Sequence, residues 1–257
     1  MPLKSTNPAT GQTIKTYDEI TDSELENALA RSHDTFLRHR KHGFDKRAER
    51  MQAAADILEA ETEDFAQLMT AEMGKPISQA RAEISKCAAA CRFYAENAAE
   101  MLRDETRVSD KEGSFIRYLP IGPVLAVMPW NFPFWQVFRF AAPNLMAGNT
   151  GILKHASNVS GCALAIADVL RRAGFAEGVF QTLLISSSRV EPILRDDRIR
   201  GATLTGSEKA GAAVARIAGE EIKKTVLELG GSDAFIVMPS ADIEKAAEVG
   251  VTARIQN

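Results

Sequence analysis

Four stretches of the chain place reactive residue types in positions where chemistry is possible. In Met128-Pro129-Trp130-Asn131-Phe132-Pro133, two prolines bracket a loop at the end of an apolar run and pin Asn131. A rigid side-chain amide there can donate to a developing oxyanion, or it can satisfy loop backbone as most loop asparagines do. In Glu228-Leu229-Gly230-Gly231 a carboxylate ends another apolar run, and the two glycines allow close backbone approach. Such a Glu can serve as a general base or bond to a neighbouring amide. Gly206-Ser207 joins an apolar run to a helical stretch, so a phosphate could sit on that helix N-terminus with the Ser207 hydroxyl beside it. Ser207 is equally suited to be a simple N-cap. Arg139 lies eight residues after Asn131 among Val137, Phe138, Phe140, Ala141 and Ala142. A lone guanidinium in that company seeks an anion, for which its planar fork is suited, unless it pairs with a structural carboxylate or reaches solvent.

Other reactive types are less informative. Cys87 and Cys91 stand one helical turn apart among alanines and Cys162 opens another helix, a pattern of ordinary core thiols. There is no CxxC pair, and His33, His39, His42 and His155 show no metal or triad spacing. The dinucleotide fingerprint GxGxxG is absent, and no Gly-x-Gly occurs anywhere, so a dinucleotide would have to bind in another way.

The elements that position these residues follow from periodicity. Thr21-Asp22-Ser23-Glu24 has capping-box spacing and opens a helix through Leu25, Ala28, Leu29, Ser32 and Phe36. A second helix is predicted from Asp45 to the stop at Gly74-Lys75-Pro76, and a third from Ile77 to Leu102. The lead-in before Thr21 is short and polar. Residues 107–120 read as a hairpin arm turning at Lys111-Glu112-Gly113. Beyond it, strands at 123–128, 151–154, 179–185, 201–205 and 225–229 alternate with helices at 133–147, 158–173, 190–196 and 207–219. That alternation predicts an α/β fold with a parallel, Rossmann-like sheet covered on both faces. A strand at 234–238 and a helix from Asp242 to Ile255 follow, with no stop signal before Asn257.

Composition narrows the function classes. The 257 residues are 45% hydrophobic and 25% charged, with 31 Lys+Arg against 34 Asp+Glu. That balance excludes a disordered or collagen-like chain and provides no footprint for nucleic acid or an anionic membrane; a small-molecule partner is expected. Residues 118–138 are uncharged, but Pro120, Pro123, Pro129 and Pro133 argue against a membrane span. The N-terminus lacks the apolar core of a signal peptide, and a reducing, cytoplasmic compartment is expected.

MPWNFPFWQ, GNTGILKHASN, LTGS and LELGG, in this order and at these distances, resemble the aldehyde dehydrogenase superfamily. The resemblance runs from NPATG to ARIQN and corresponds to about the first half of a family subunit. KHASNV and EMGKPISQARAEI are most similar to the short bacterial succinate-semialdehyde-oxidising members. The resemblance implies an enzyme of the NAD(P)-dependent type, with Asn131 as oxyanion donor and Glu228 as general base. It implies that Lys154 holds the adenine-side ribose and that Gly206 and Ser207 receive the pyrophosphate. It also places Met128, Pro129, Trp130 and Leu229 against the cofactor. Ser157 stands where NAD-strict members carry Glu. Without that carboxylate a 2′-phosphate meets no repulsion and is attracted by Lys154, so NADP is expected to be accepted. Ser186-Ser187-Ser188 departs from the Pro/Gly-rich loop of many members. Arg139 matches the position that binds a distal substrate carboxylate in semialdehyde-oxidising relatives.

The family's nucleophilic Cys follows the ARIQN helix, and none of Cys87, Cys91 or Cys162 replaces it. The organisation implied is a cofactor-binding domain of residues 1–103 and 121–232, an oligomerisation arm at 104–120 serving a homodimer or homotetramer, and the truncated start of a catalytic domain at 233–257. The expected reaction of the parent is oxidation of an aldehyde, succinate semialdehyde first, with this chain inactive alone. The alternative is a non-catalytic nucleotide-binding or assembly fragment.

Overall fold

A computed structural model describes residues 3–106 and 113–255. The chain opens with an antiparallel pair, β1 (Leu3–Thr6) and β2 (Thr13–Tyr17), in the polar lead-in, to which the sequence pattern assigns no element. Asn7 accepts the Gly11 N–H through its carbonyl at 2.8 Å and so closes the turn between them. Thr-Ile-Lys-Thr-Tyr is mostly polar and exposed, which conceals its strand character from a hydrophobicity pattern.

Helix α1 (Asp22–His39) starts at the expected capping box: Thr21 Oγ1 accepts from the Glu24 N–H at 3.2 Å, and Glu24 Oε2 accepts from the Thr21 N–H at 2.8 Å. The predicted second helix is two helices, α2 (Phe44–Ala60) and α3 (Thr62–Met73). The break falls at Glu61, where the Thr62 hydroxyl donates back to the Leu58 and Glu59 carbonyls at 2.9 and 3.0 Å. The apolar period runs straight through it, so periodicity alone cannot see it. Gly74, left-handed at φ 79°, ends α3 as expected. Helix α4 (Ile77–Met101) follows.

Of the hairpin arm, β3 (Glu105–Thr106) and β4 (Phe115–Ile116) pair antiparallel, while Arg107–Glu112 lie outside the described residues. Then come β5 (Pro123–Met128), α5 (Trp135–Met146), β6 (Thr150–His155), α6 (Ser160–Arg172), β7 (Phe180–Thr182), α7 (Val190–Arg195), β8 (Gly201–Thr205), α8 (Glu208–Glu220) and β9 (Lys224–Glu228). The five strands form one parallel sheet in the order β7-β6-β5-β8-β9.

Both faces of the sheet's centre are covered. Ala126, Met128 and Leu153 face Met51, Leu58, Ile84, Phe134 and Phe138 from the helices α2, α4 and α5. Their strand neighbours Leu125 and Ile152, with Ala202 and Leu204, face Leu29, Ile193 and Ile217 of α1, α7 and α8. This two-sided burial is why these strands read as unbroken apolar runs. Because the chain steps from β5 outward through β6 to β7 and then returns to β8 on the other side of β5, the order reverses between β5 and β8. A crevice at the carboxyl ends of those strands is where such sheets take ligands.

The segment 234–238 is not a strand. No neighbour pairs with it among the described residues, and Phe235, Ile236 and Met238 are exposed. The helix predicted after it is α9 (Ile243–Ile255), none of whose residues is buried.

Candidate functional site

The loop carrying Asn131 is held from below by a buried ion pair. Lys75 Nζ donates to Glu83 Oε2 at 2.6 Å, and both side chains are 1% exposed. Lys75 also donates to the Asn131 carbonyl at 3.2 Å and sits 3.6 Å from the centre of the Phe132 ring. The other Glu83 oxygen accepts the Phe134 and Trp135 N–H groups at 2.9 and 2.8 Å, the first turn of α5. Burial pushes the Lys75 ammonium below its usual value, and the Glu83 carboxylate opposes that shift.

A second clamp comes from β6. His155 Nε2 lies 2.9 Å from the Pro133 carbonyl, and Nδ1 lies 3.2 Å from the Met128 carbonyl and 2.9 Å from the Ala156 N–H, so the ring bridges both ends of the loop and either neutral tautomer donates to one of the two carbonyls. Burial lowers the His155 imidazole to about 4, so the neutral tautomer persists. Met128, Pro129 and Trp130 lead into the loop, and half-exposed Trp130 lines with Asn131 a cleft of about 510 Å³ that includes Met73, Gly74 and Pro76.

The helices that begin at the carboxyl edge differ in what occupies their N-termini. Glu83 takes α5. Glu72, also buried, accepts the Gly161 and Cys162 N–H groups at 2.9 Å each and takes α6. A side chain at position 161 would put its Cβ 2.7 Å from that carboxylate and push it off the two amides, so Gly161 leaves the room that the Glu72 cap occupies. Helix α8 has no such carboxylate. Ser207 caps it by accepting the Ala210 N–H at 3.3 Å, and the Gly206 N–H goes to the Glu228 carbonyl at 3.0 Å. The amides of Ser207, Glu208 and Lys209 have no protein acceptor among the described residues. An anion can therefore be received at this N-terminus without displacing a protein group.

Lys154 is half-buried at the end of β6, and burial holds its ammonium below the usual value while the charge of Glu19 opposes. No carboxylate lies within ion-pair distance of Lys154 among the described residues. Ser157 is exposed three residues on, in a short 3-10 turn whose carbonyl accepts the Ser160 hydroxyl at 3.0 Å. The Ser186–Ser188 segment is tied to the N-terminal region: Ser186 N and Oγ donate to Glu19 at 2.9 and 3.1 Å, and the Ser186 N–H holds the Glu19 carboxyl below its usual range.

On the other side of β5, Arg139 meets the candidate base. Its Nη1 lies 3.7 Å from Glu228 Oε2 and its Nη2 3.4 Å from Thr205 Oγ1. Thr205 and Glu228 are register partners on β8 and β9. All three line a cleft of about 380 Å³ with Met128, Gln136 and Phe140. Leu229, just beyond Glu228, packs its methyls over Gly211 of α8, where a Cβ would approach within 2.4 Å.

The structure thus brings Arg139 and Glu228 together, sets Asn131 in the neighbouring cleft, and leaves Lys154 and Ser157 at β6 and Gly206 and Ser207 at α8. Sequence reasoning passed over Lys75, Glu83, Glu72 and His155. A signal for Glu83 was present: it falls on the otherwise apolar face of α4 between Ala80 and Ile84, and a buried carboxylate needs partners.

Two expectations follow from these clamps. Lys75→Met leaves the Glu83 charge buried and unpaired, and should cost about 3–5 kcal/mol in urea unfolding. His155 has a folded-state value of about 4 against an ordinary 6.5, so the unfolded chain takes up the proton first. Its contribution is complete above pH 6.5 and is lost as pH falls toward 4. His39, also lowered to about 4 by burial, acts in the same direction. His155→Gln should reduce the slope of unfolding free energy against pH in that window, and an unchanged slope would contradict the assignment.

The model of the aldehyde dehydrogenase family matches residues 1–257. A succinate-semialdehyde dehydrogenase (NADP(+)) of Mycobacterium avium is 58% identical over 261 residues, covering 100% of this chain and 55% of that relative. One of Mycobacterium tuberculosis is 57% identical over 260 residues, covering 100% and 57%. The chain spans about half the length of the curated relatives it matches. Among solved structures, the succinic semialdehyde dehydrogenase of Streptococcus pyogenes in complex with NADP+ superposes with a TM-score of 0.91 at 36% identity, over 96% of this chain and 54% of that one. The succinate-semialdehyde dehydrogenase of Burkholderia pseudomallei gives 0.91 at 28% identity, over 98% and 53%. With its carboxyl-edge loops in place and a family model matching end to end, the chain belongs to the aldehyde dehydrogenase family.

Proposed function

We propose that this chain supplies the nucleotide-binding and part of the catalytic surface for NADP-dependent oxidation of succinate semialdehyde to succinate. The observation that carries the reading is a pair of anion-receptive features at the carboxyl edge: Lys154 near the end of β6, with no carboxylate within ion-pair distance among the described residues, and the first turn of α8, whose amides have no protein acceptor among the described residues although Glu208 stands in that turn. The residues fit a dinucleotide phosphate. The Ser207, Glu208 and Lys209 amides receive the pyrophosphate, with Gly206 leaving room beside them. Lys154 and Ser157 receive the adenine-side ribose and its 2′-phosphate, and Met128, Pro129, Trp130 and Leu229 flank the cofactor. The relatives from Mycobacterium and Streptococcus pyogenes, named for NADP, support that choice over NAD. When bound, the nicotinamide supplies the hydride acceptor.

The chain's own groups then have distinct tasks. Asn131, held by Lys75 and His155, donates its amide to the aldehyde oxygen as negative charge develops there. Arg139 receives the distal carboxylate of the substrate through two parallel N–H bonds. Glu228 takes a proton from the attacking water. The covalent step needs a thiolate, and this chain's thiols do not provide one. Cys87, Cys91 and Cys162 are fully buried, burial pushes Cys87 and Cys162 well up, and Cys91 is pushed up to about 12. That observation favours a second reading for the 257-residue polypeptide by itself, a nucleotide-binding module without chemistry. Assembly through the 104–120 arm, into a homodimer or homotetramer, belongs to the same proposal and is supported by exposed Phe115, Ile116 and Leu119. So does the division at 103, 121 and 232, and placement in the cytoplasm. Among the described residues no helix is long and apolar enough to cross a membrane.

Titration calorimetry tests the cofactor assignment. Lys154→Ala and Ser207→Ala should each weaken NADP binding, Lys154→Ala by about 10- to 100-fold, the range of one lost charge-assisted contact. Unchanged affinity would overturn the site. For the substrate, Arg139→Ala in the complete enzyme should raise KM for a carboxylated aldehyde at least about tenfold and leave KM for an uncharged aldehyde nearly unchanged. Equal effects on both would remove Arg139 from the proposal.

A further inference from the structure

Arg139 and Glu228 have each been given a task above, yet the structure has them spend their charge on each other. Glu228 Oε2 lies 3.7 Å from Arg139 Nη1, and neither makes another ion pair among the described residues. Thr205, which shares the guanidinium at 3.4 Å, is neutral. The cleft beside them is lined here by Met128, Gln136 and Phe140, and the other cation on its wall, Lys224, stands at the opposite end of β9. One guanidinium therefore serves Glu228 in the structure and the substrate carboxylate in the role proposed above.

We propose that Glu228 and the carboxylate tail of the substrate are rival ligands of Arg139, so that the base is released only by an aldehyde that carries its own anion. This rests on the proposed roles of the two residues. The geometry favours exchange. The pair is loose, made by a single oxygen, with side chains 38% and 52% exposed, and such pairs are weak. An incoming carboxylate that engages both Nη groups makes two charge-assisted bonds and takes the Thr205 contact as well. Seated there it lies within a few ångströms of Glu228, and the two negative charges repel. Apart from Arg139, the Glu228 side chain has no hydrogen-bond or ion-pair partner among the described residues, and its carbonyl accepts the Gly206 N–H at the end of β9, so the side chain can swing while the strand stays in register. An uncharged aldehyde leaves Glu228 turned toward Arg139 instead of toward water. Selection for an anionic tail is thus exerted twice by one residue, in binding and in freeing the base.

Succinate is the probe, and the 257-residue chain is sufficient because binding is read rather than turnover. Wild type, Glu228→Gln, Arg139→Gln and the double variant are titrated, and the Glu228 side-chain carboxyl resonance is followed by 13C NMR. Glu228→Gln should bind succinate about two- to fivefold more tightly, the gain matching a weak exposed pair. That gain should vanish in the Arg139→Gln background. In wild type, saturating succinate should move the Glu228 resonance away from its ligand-free position, in the direction that Arg139→Gln moves it. Succinate that binds through Arg139 without moving the resonance, or a gain of equal size in both backgrounds, overturns the rivalry alone. Succinate that fails to bind, or binds equally well without Arg139, overturns the substrate assignment and the rivalry with it.

Discussion

The carboxyl edge of this protein depends on one buried carboxylate. Glu83 projects from the apolar face of α4 and is shut off from water, so its charge must be met inside. It is met on both oxygens: by the Lys75 ammonium at 2.6 Å and by the amides of Phe134, which caps α5, and Trp135, its first residue. Because Lys75 also reaches the Asn131 carbonyl and the Phe132 ring, one charge fixes the stop of α3, the start of α5 and the loop between β5 and α5. The Asn131 side chain is thereby left free of the task of organising its own loop.

The same economy explains where an anion can go. Three helices start beside the carboxyl ends of central strands, and each presents unpaired amides and a positive end of the backbone dipole. Glu83 and Glu72, contributed by the helical layer, satisfy two of them. Only α8 is capped by a neutral serine and keeps the amides of its first turn without a protein acceptor among the described residues. Lys154 is the matching cation, half-buried and opposed at longer range by Glu19.

How much of this could be read beforehand varied with the physics involved. Strands β5 and β8 were legible to the residue, since burial on both faces makes them unbroken apolar runs bounded by Pro123 and Gly206. The capping box at Thr21 and the left-handed Gly74 were legible because their causes are local. The α2–α3 break was not, because a threonine hydroxyl that bends a helix leaves the apolar period intact. Strand β2 is too polar to stand out, and Phe235-Ile236-Val237-Met238 is strand-like in composition but has no neighbour to pair with among the described residues. In the site, Asn131, Arg139 and Glu228 were visible as polar residues in apolar settings. Lys75, Glu72 and His155 were not, because their meaning comes from partners that are distant in sequence: 56, 89 and 22 residues away.

The central claim is that α8 and Lys154 together form the nucleotide site, while α5 and α6 are closed to it. A crystal structure of this chain soaked with NADP tests it most directly. The account requires the pyrophosphate on the Ser207, Glu208 and Lys209 amides and the 2′-phosphate within hydrogen-bond reach of Lys154 and Ser157. Nucleotide phosphate density at the start of α5 or α6, with Glu83 or Glu72 displaced, would contradict it.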